Sequence, residues 1–75
     1  MPRVELYTTP SCPFCVRAKR LLAERHIAYT EFDIEKSAEG RRRYEALGGS
    51  GVPVLTVNGT VIHGYNPDAI LDALR

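Results

Sequence analysis

An α/β fold is predicted: one four-stranded mixed sheet covered by three helices, in the order β-α-β-α-β-β-α. Three observations carry this. Strand-like and helix-like runs alternate through the first two thirds of the chain. Two β-rich runs, 52–57 and Thr60–His63, are joined by Asn58-Gly59, the strongest short-range hairpin signal. A capped helical run closes the chain. At 75 residues there is material for one domain, residues 1–75, with a modest core and little spare stability.

The first strand is expected over 3–8, with Val4, Leu6 and Thr8 alternating with Glu5 and Tyr7. Pro10 and Ser11 end it. The first helix is expected from Pro13 to Arg25, with Phe14, Ala18, Leu21 and Leu22 as the core-facing stripe and Arg17, Lys19, Arg20 and Glu24 toward water. His26 then reads as an exposed residue at a helix C-terminus. Residues 27–34, with Ile27, Tyr29, Phe32 and Ile34, read as a second strand, parallel to the first because a helix connects them. Ser37 is a cap for a charged second helix, Ala38 to Leu47, anchored by Tyr44 and Leu47. Gly48-Gly49-Ser50-Gly51 ends that helix; it lacks the Lys-Ser/Thr tail of a phosphate loop and leads into a strand. Pro53 is tolerated at the start of its strand because it need not donate to the ladder. Asn66-Pro67-Asp68 reads as cap, first helical residue and first-turn acid of a third helix running to Leu74, with Ile70, Leu71 and Leu74 inward.

Composition excludes several function classes. The net charge of +1 argues against nucleic acid or an anionic membrane as partner, and Arg41-Arg42-Arg43 is read as a solvated helix face. There is no apolar run long enough to span a bilayer. Met1-Pro2-Arg3 leads straight into a strand, so no signal peptide is expected and the cytoplasm is the expected location. A monomer is expected.

Chemistry concentrates in Thr9-Pro10-Ser11-Cys12-Pro13-Phe14-Cys15, which holds both cysteines of the chain. Proline favours the first position inside a helix, so Pro13 makes Cys12 the cap residue. Its sulfur then faces unpaired N–H groups of the first turn, including those of Phe14 and Cys15. Those donors, the helix dipole and the local surplus of Lys and Arg favour a thiolate, with a pKa below the value of about 8.5 of a free cysteine. Cys15 lies one turn on, on the same face, where a disulfide closes with little backbone movement. The expectation is one exposed, activated sulfur and one close resolving sulfur. A structural staple is disfavoured, since so short a loop constrains the unfolded chain weakly. A metal site is not expected: it would need two more ligands, and His26 and His63 stand at no zinc-type spacing. In a reducing compartment a Cys-x-x-Cys is catalytic more often than structural.

With Cys12-Pro13-Phe14-Cys15 opening helix one and Val52-Pro53 opening strand three, the chain resembles the glutaredoxin family of the thioredoxin-like superfamily along essentially its whole length. The resemblance implies a dithiol–disulfide oxidoreductase that reduces protein disulfides or glutathione mixed disulfides. Cys12 would be the attacking cysteine, Cys15 the resolving one, and Pro53 the family's cis-proline. Substrate contacts would come from Thr9, Pro13, Phe14, Val52, Pro53, Gly64, Tyr65 and Asn66, with no bound cofactor and glutathione as reductant. Thr9 stands where glutathione-using members usually carry Lys or Arg. The turn His63-Gly64-Tyr65-Asn66-Pro67-Asp68 is closer to the Gly-Phe-x-Pro-Asp turn of redoxins that are recharged by thioredoxin reductase and feed ribonucleotide reductase. Asn66 and the N–H groups of helix three remain candidate carboxylate ligands. Two other classes stay open: a carrier of an iron–sulfur cluster shared through Cys12 and glutathione, disfavoured by Pro13, and an interaction domain with inert cysteines.

Overall fold

β-branched and aromatic residues set the strands and capped, largely charged runs set the helices. In a computed structural model that describes residues 2–75 the order is β1 (Val4–Thr8), α1 (Pro13–Glu24), β2 (Thr30–Asp33), α2 (Ala38–Ala46), β3 (Val54–Val57), β4 (Thr60–His63) and α3 (Pro67–Ala73). Met1, which opens the stretch examined for a signal peptide, lies outside the described residues. The strands form one sheet in the order β2-β1-β3-β4. β1 runs parallel to β2, and β3 is antiparallel to both β1 and β4. The β3–β4 turn has positive φ at Asn58 (51°) and Gly59 (89°), the backbone that an Asn-Gly hairpin turn requires.

The sheet is covered on both faces. On one, Val4 and Leu6 of β1, Leu55 and Val57 of β3 and Ile62 of β4 pack against Ala18 and Leu22 of α1 and Ile70 of α3. On the other, Tyr7, Val54 and Ile34 pack against Tyr44 of α2, with Phe32, Leu47 and Val52 alongside. Every residue of the central strand β3 is therefore buried. Tyr7, expected to alternate away from the core, is buried as well, because α2 covers the face it points to.

Three expectations need correction. β2 begins at Thr30, later than the expected 27. Arg25, His26 and Ile27 instead reverse the chain: Ile27 N–H donates to the Leu22 carbonyl (2.9 Å) and His26 N–H to that of Ala23 (3.1 Å), with His26 in the left-handed region (φ 56°). Val52 and Pro53 precede β3 rather than belonging to it. Phe14 is not part of the core stripe: it is 52 % exposed, because the buried face of α1 runs through Cys15, Ala18 and Leu22 and Phe14 lies at its edge, about 100° round the helix from Cys15. Of the arginine run, exposed on α2, Arg41 pairs with Glu45 (3.1 Å), and Arg43 with Glu39 (2.7 Å) and with the half-buried Glu5 of β1 (3.3 Å). Among the described residues no helix is long and apolar enough to cross a membrane.

Candidate active site

The site is built on the entry to α1. Pro13 occupies the first helical turn, and Cys12 takes the extended backbone of an N-cap residue (φ −131°, ψ 98°). The Cys15 N–H donates to Cys12 Sγ at 3.0 Å and to the Cys12 carbonyl at 3.1 Å. The sulfur thus does the work that a serine or aspartate oxygen does at an ordinary helix start. The two cysteines form a disulfide, with Cα atoms 5.2 Å apart. The sequence reading expected an exposed attacking sulfur. In this oxidised state Cys12 keeps 8 % exposure and Cys15 1 %. Both are largely covered, and the residual access is at Cys12.

Two of the cations expected to bias Cys12, Arg17 and Lys19, have other partners. The Arg17 guanidinium sits 5.3 Å from the centroid of the Phe14 ring. Lys19 pairs with Glu31 at 2.9 Å. The donor aimed at the sulfur is a backbone N–H.

Strand register gathers the remaining parts at one end of the sheet. Tyr7 pairs with Val54, and Val54 with His63, so Thr8, Pro53 and Gly64 all lie one step beyond the same row. The Val52–Pro53 peptide bond is cis, as the family resemblance implied. The Gly64 N–H donates to the Pro53 carbonyl (2.8 Å), which ties the turn before α3 to the proline segment. Gly64 has φ 81°, a backbone that favours glycine. Tyr65 reaches across to Phe14, the rings stacked with centroids 6.3 Å apart. Of the sequence candidates, then, Cys12 and Cys15 pair across Pro13 and Phe14, Phe14 stacks on Tyr65, and Gly64 is tied to Pro53, with Val52 half-buried beside Pro53. Thr9 is half-buried in the loop before Cys12. Asn66 Oδ1 accepts from the Ala69 N–H (3.1 Å), so that oxygen serves as the cap of α3. Among the described residues no group of three or more His, Cys, Asp or Glu side chains gathers as a metal cage.

Two polar contacts at this end were not visible in the sequence. The buried Thr8 hydroxyl donates to Glu31 Oε2 (2.8 Å), the atom that also binds Lys19, so β1, β2 and α1 are pinned together next to the cysteine loop. Tyr44 of α2 hydrogen-bonds Gly51, one residue before Val52. A threonine ending a strand and a tyrosine inside a charged helix carry no spacing signal that would single them out.

Residues 4–62 match the family model described as Glutaredoxin. The chain belongs to the glutaredoxin family. It is similar to glutaredoxin 3 of Escherichia coli K12, 34% identical over 74 residues that span 97% of this chain and 89% of that one. Its backbone follows that of a point mutant of the thioredoxin-like protein BC3987, with a TM-score of 0.91 and 32% identity over 99% of this chain and 96% of the other. The NrdH-redoxin of Escherichia coli shares the fold, with a TM-score of 0.84 at 24% identity over 93% of this chain and 92% of that one. The architecture is thus the thioredoxin-like one. As a glutaredoxin the chain is a thiol–disulfide oxidoreductase, and Cys12-Pro13-Phe14-Cys15 is its cysteine pair.

Proposed function

We propose that this glutaredoxin reduces protein disulfides and glutathione mixed disulfides by a two-cysteine cycle. The observation that carries the proposal is the Cys15 N–H donating to Cys12 Sγ at the start of α1 (3.0 Å), with the residual solvent access at Cys12 rather than Cys15. A donor already aimed at that sulfur favours its anion once the pair is reduced. The Cys12 thiolate attacks one sulfur of a substrate disulfide, forms a mixed disulfide and expels the other sulfur as a thiolate, which takes up a proton. Cys15, deprotonated in turn, attacks Cys12 Sγ and expels the second substrate sulfur. Substrate gains two electrons and two protons, and the cysteine pair becomes the disulfide present in the structure. The Val52 backbone is proposed to pair with the extended substrate in strand-like fashion, with Pro53 shaping that segment. Thr9, Pro13, Phe14, Gly64, Tyr65 and Asn66 are the proposed rim of the substrate site. The sulfurs carry the electrons, so the cycle calls for no bound cofactor. The reaction needs a reducing compartment, for which we propose the cytoplasm, and the protein acts as a monomer.

Glutathione is the proposed source of electrons. Recharging by thioredoxin reductase, with ribonucleotide reductase among the substrates, is a second reading. It is favoured by the lack of a cation at Thr9 and by the Ala69 N–H being taken up by Asn66 Oδ1, which leaves one backbone donor fewer for the carboxylates of glutathione. A likeness to both a named glutaredoxin and a named thioredoxin-like protein supports testing the two side by side. The experiment is disulfide turnover with glutathione plus glutathione reductase against turnover with thioredoxin reductase. Cys12→Ser is expected to abolish both. Cys15→Ser is expected to abolish reduction of protein disulfides, to trap substrate on Cys12 as a mixed disulfide seen by mass spectrometry, and to spare deglutathionylation. Intact protein-disulfide reduction in Cys15→Ser would remove the resolving role.

A further inference from the structure

The segment proposed to receive substrate has little of its own to hold it in place. Residues 48–51 are Gly-Gly-Ser-Gly, and Gly48 (φ 77°) and Gly51 (φ 154°) both use backbone that favours glycine. Such a run has many alternatives when unrestrained, and ordering it costs conformational entropy. The Gly48 and Gly49 N–H groups are held by the Glu45 and Tyr44 carbonyls (3.0 Å each); at Gly51, next to Val52, the restraint is one side chain. The Tyr44 hydroxyl accepts from the Gly51 N–H (2.6 Å) and donates to the Gly51 carbonyl (2.9 Å), so a single phenol satisfies both polar groups of the residue before Val52. The Tyr44 ring is itself fixed. It is 6 % exposed, lies in the cluster with Tyr7 (centroids 6.5 Å apart), Ile34 and Val54, and packs so closely on Gly49 that a Cβ there would strike it. At the far end of the segment the Pro53 carbonyl is held by the Gly64 N–H. Val52 and Pro53 are therefore strung between two anchors, one of them the Tyr44 phenol and the other the turn before α3.

We propose that Tyr44 is a positioning residue for substrate capture: its hydroxyl, on the helix across the sheet from the cysteine-bearing helix, pre-orders the Val52 backbone for strand-like pairing with the incoming chain. The inference rests on the proposed role of Val52 and adds to it the group that makes that backbone ready. Tyr44 touches neither sulfur, so its removal weakens capture and leaves the reactivity of Cys12 alone.

The test is Tyr44→Phe, which keeps the ring and deletes both hydrogen bonds. The substrate is a short extended peptide carrying a cysteine–glutathione mixed disulfide. KM is expected to rise about tenfold, the cost of ordering one residue at binding, with kcat nearly unchanged. Amide exchange at Gly51 and Val52 is expected to quicken about tenfold, while exchange at Leu6 and Leu55 in the core stays as in the parent protein. The pH profile of Cys12 alkylation by iodoacetamide is expected not to move. An unchanged KM, or unchanged exchange at Gly51, overturns the proposal. So does a KM change accompanied by equal quickening at Leu55 or by a shifted alkylation profile, since either marks a general loosening. Failure of the underlying reading looks different: the parent protein does not turn the peptide over, or Cys12→Ser still does, whatever Tyr44→Phe shows.

Discussion

Tyr7 shows how one residue takes its chemistry from what covers it. Its ring is 1 % exposed between Phe32 (centroids 5.3 Å apart, stacked) and Tyr44. Burial pushes its phenol above the ordinary value of 10.0, the Glu5 charge adds to that, and Arg43 opposes it. A phenol that holds its proton more tightly when folded contributes stability that is complete below about pH 10 and lost as pH rises through the raised value. Urea unfolding across the alkaline range is expected to show stability falling above about pH 10 in the parent protein and falling less steeply in Tyr7→Phe. Parallel slopes would assign the alkaline loss to other groups. Tyr7 also marks where strand alternation misleads: it predicts one polar face, and a strand covered on both sides has none. Phe14 errs the other way. Its i, i+4 spacing to Ala18 is right, but the buried face of α1 runs through Cys15 and leaves Phe14 at its edge, stacked on Tyr65. Cys12 was legible as a cap because Pro13 favours the first helical position, where an N–H has no partner within the helix.

Among the elements, α2 buries only Gly40 and Tyr44 and is placed by close approach. Gly40 is buried inside it, and a Cβ there would come within 2.7 Å of Phe32 Cβ on β2. Alanine in a helix interior is worth about 1 kcal/mol over glycine, so propensity alone favours Gly40→Ala. The contact with a strand residue's own Cβ leaves no flexible end to give way. We expect Gly40→Ala to lower the urea midpoint by the equivalent of about 1–3 kcal/mol, the range of an overpacked core; a rise would mean that α2 shifts freely on the sheet. The start of α2 was legible from the Ser37 cap, whose hydroxyl accepts from Gly40 N–H at 2.9 Å. The reason for a glycine one turn in was not, because it lies in a partner 8 residues away in sequence and on another element. The tie from Tyr44 to Gly51 is hidden likewise: a loop's path is set by what it packs on.

For the whole molecule the seam between β1 and β3 is decisive. Leu6 and Leu55 face each other across it, both fully buried. Leu55→Ala is expected to cost about 2–5 kcal/mol, a large share of the roughly 4–11 kcal/mol that a chain of this size holds. Val61→Ala, at a position 36 % exposed on β4, is expected within about 0.5 kcal/mol of the parent. A urea series on the two variants checks the contrast. The order of elements and the hairpin were legible because Asn58-Gly59 and the helix caps are local. The cis bond at Pro53 came only through family resemblance, since proline alone seldom adopts it.

That seam also divides labour. The cysteines travel with β1, α1 and β2, whereas Tyr44, Gly51, Val52, Pro53, Gly64 and Tyr65 travel with everything after the turn at residues 34–37. Two relatives spliced within that turn would exchange the Val52 to Asn66 part of the proposed substrate rim while keeping the helix that opens at Cys12, with Thr9, Pro13 and Phe14 beside it. Hybrids of this kind are expected to take their preference among disulfides from the C-terminal parent and the acidity of their reactive thiol from the N-terminal one.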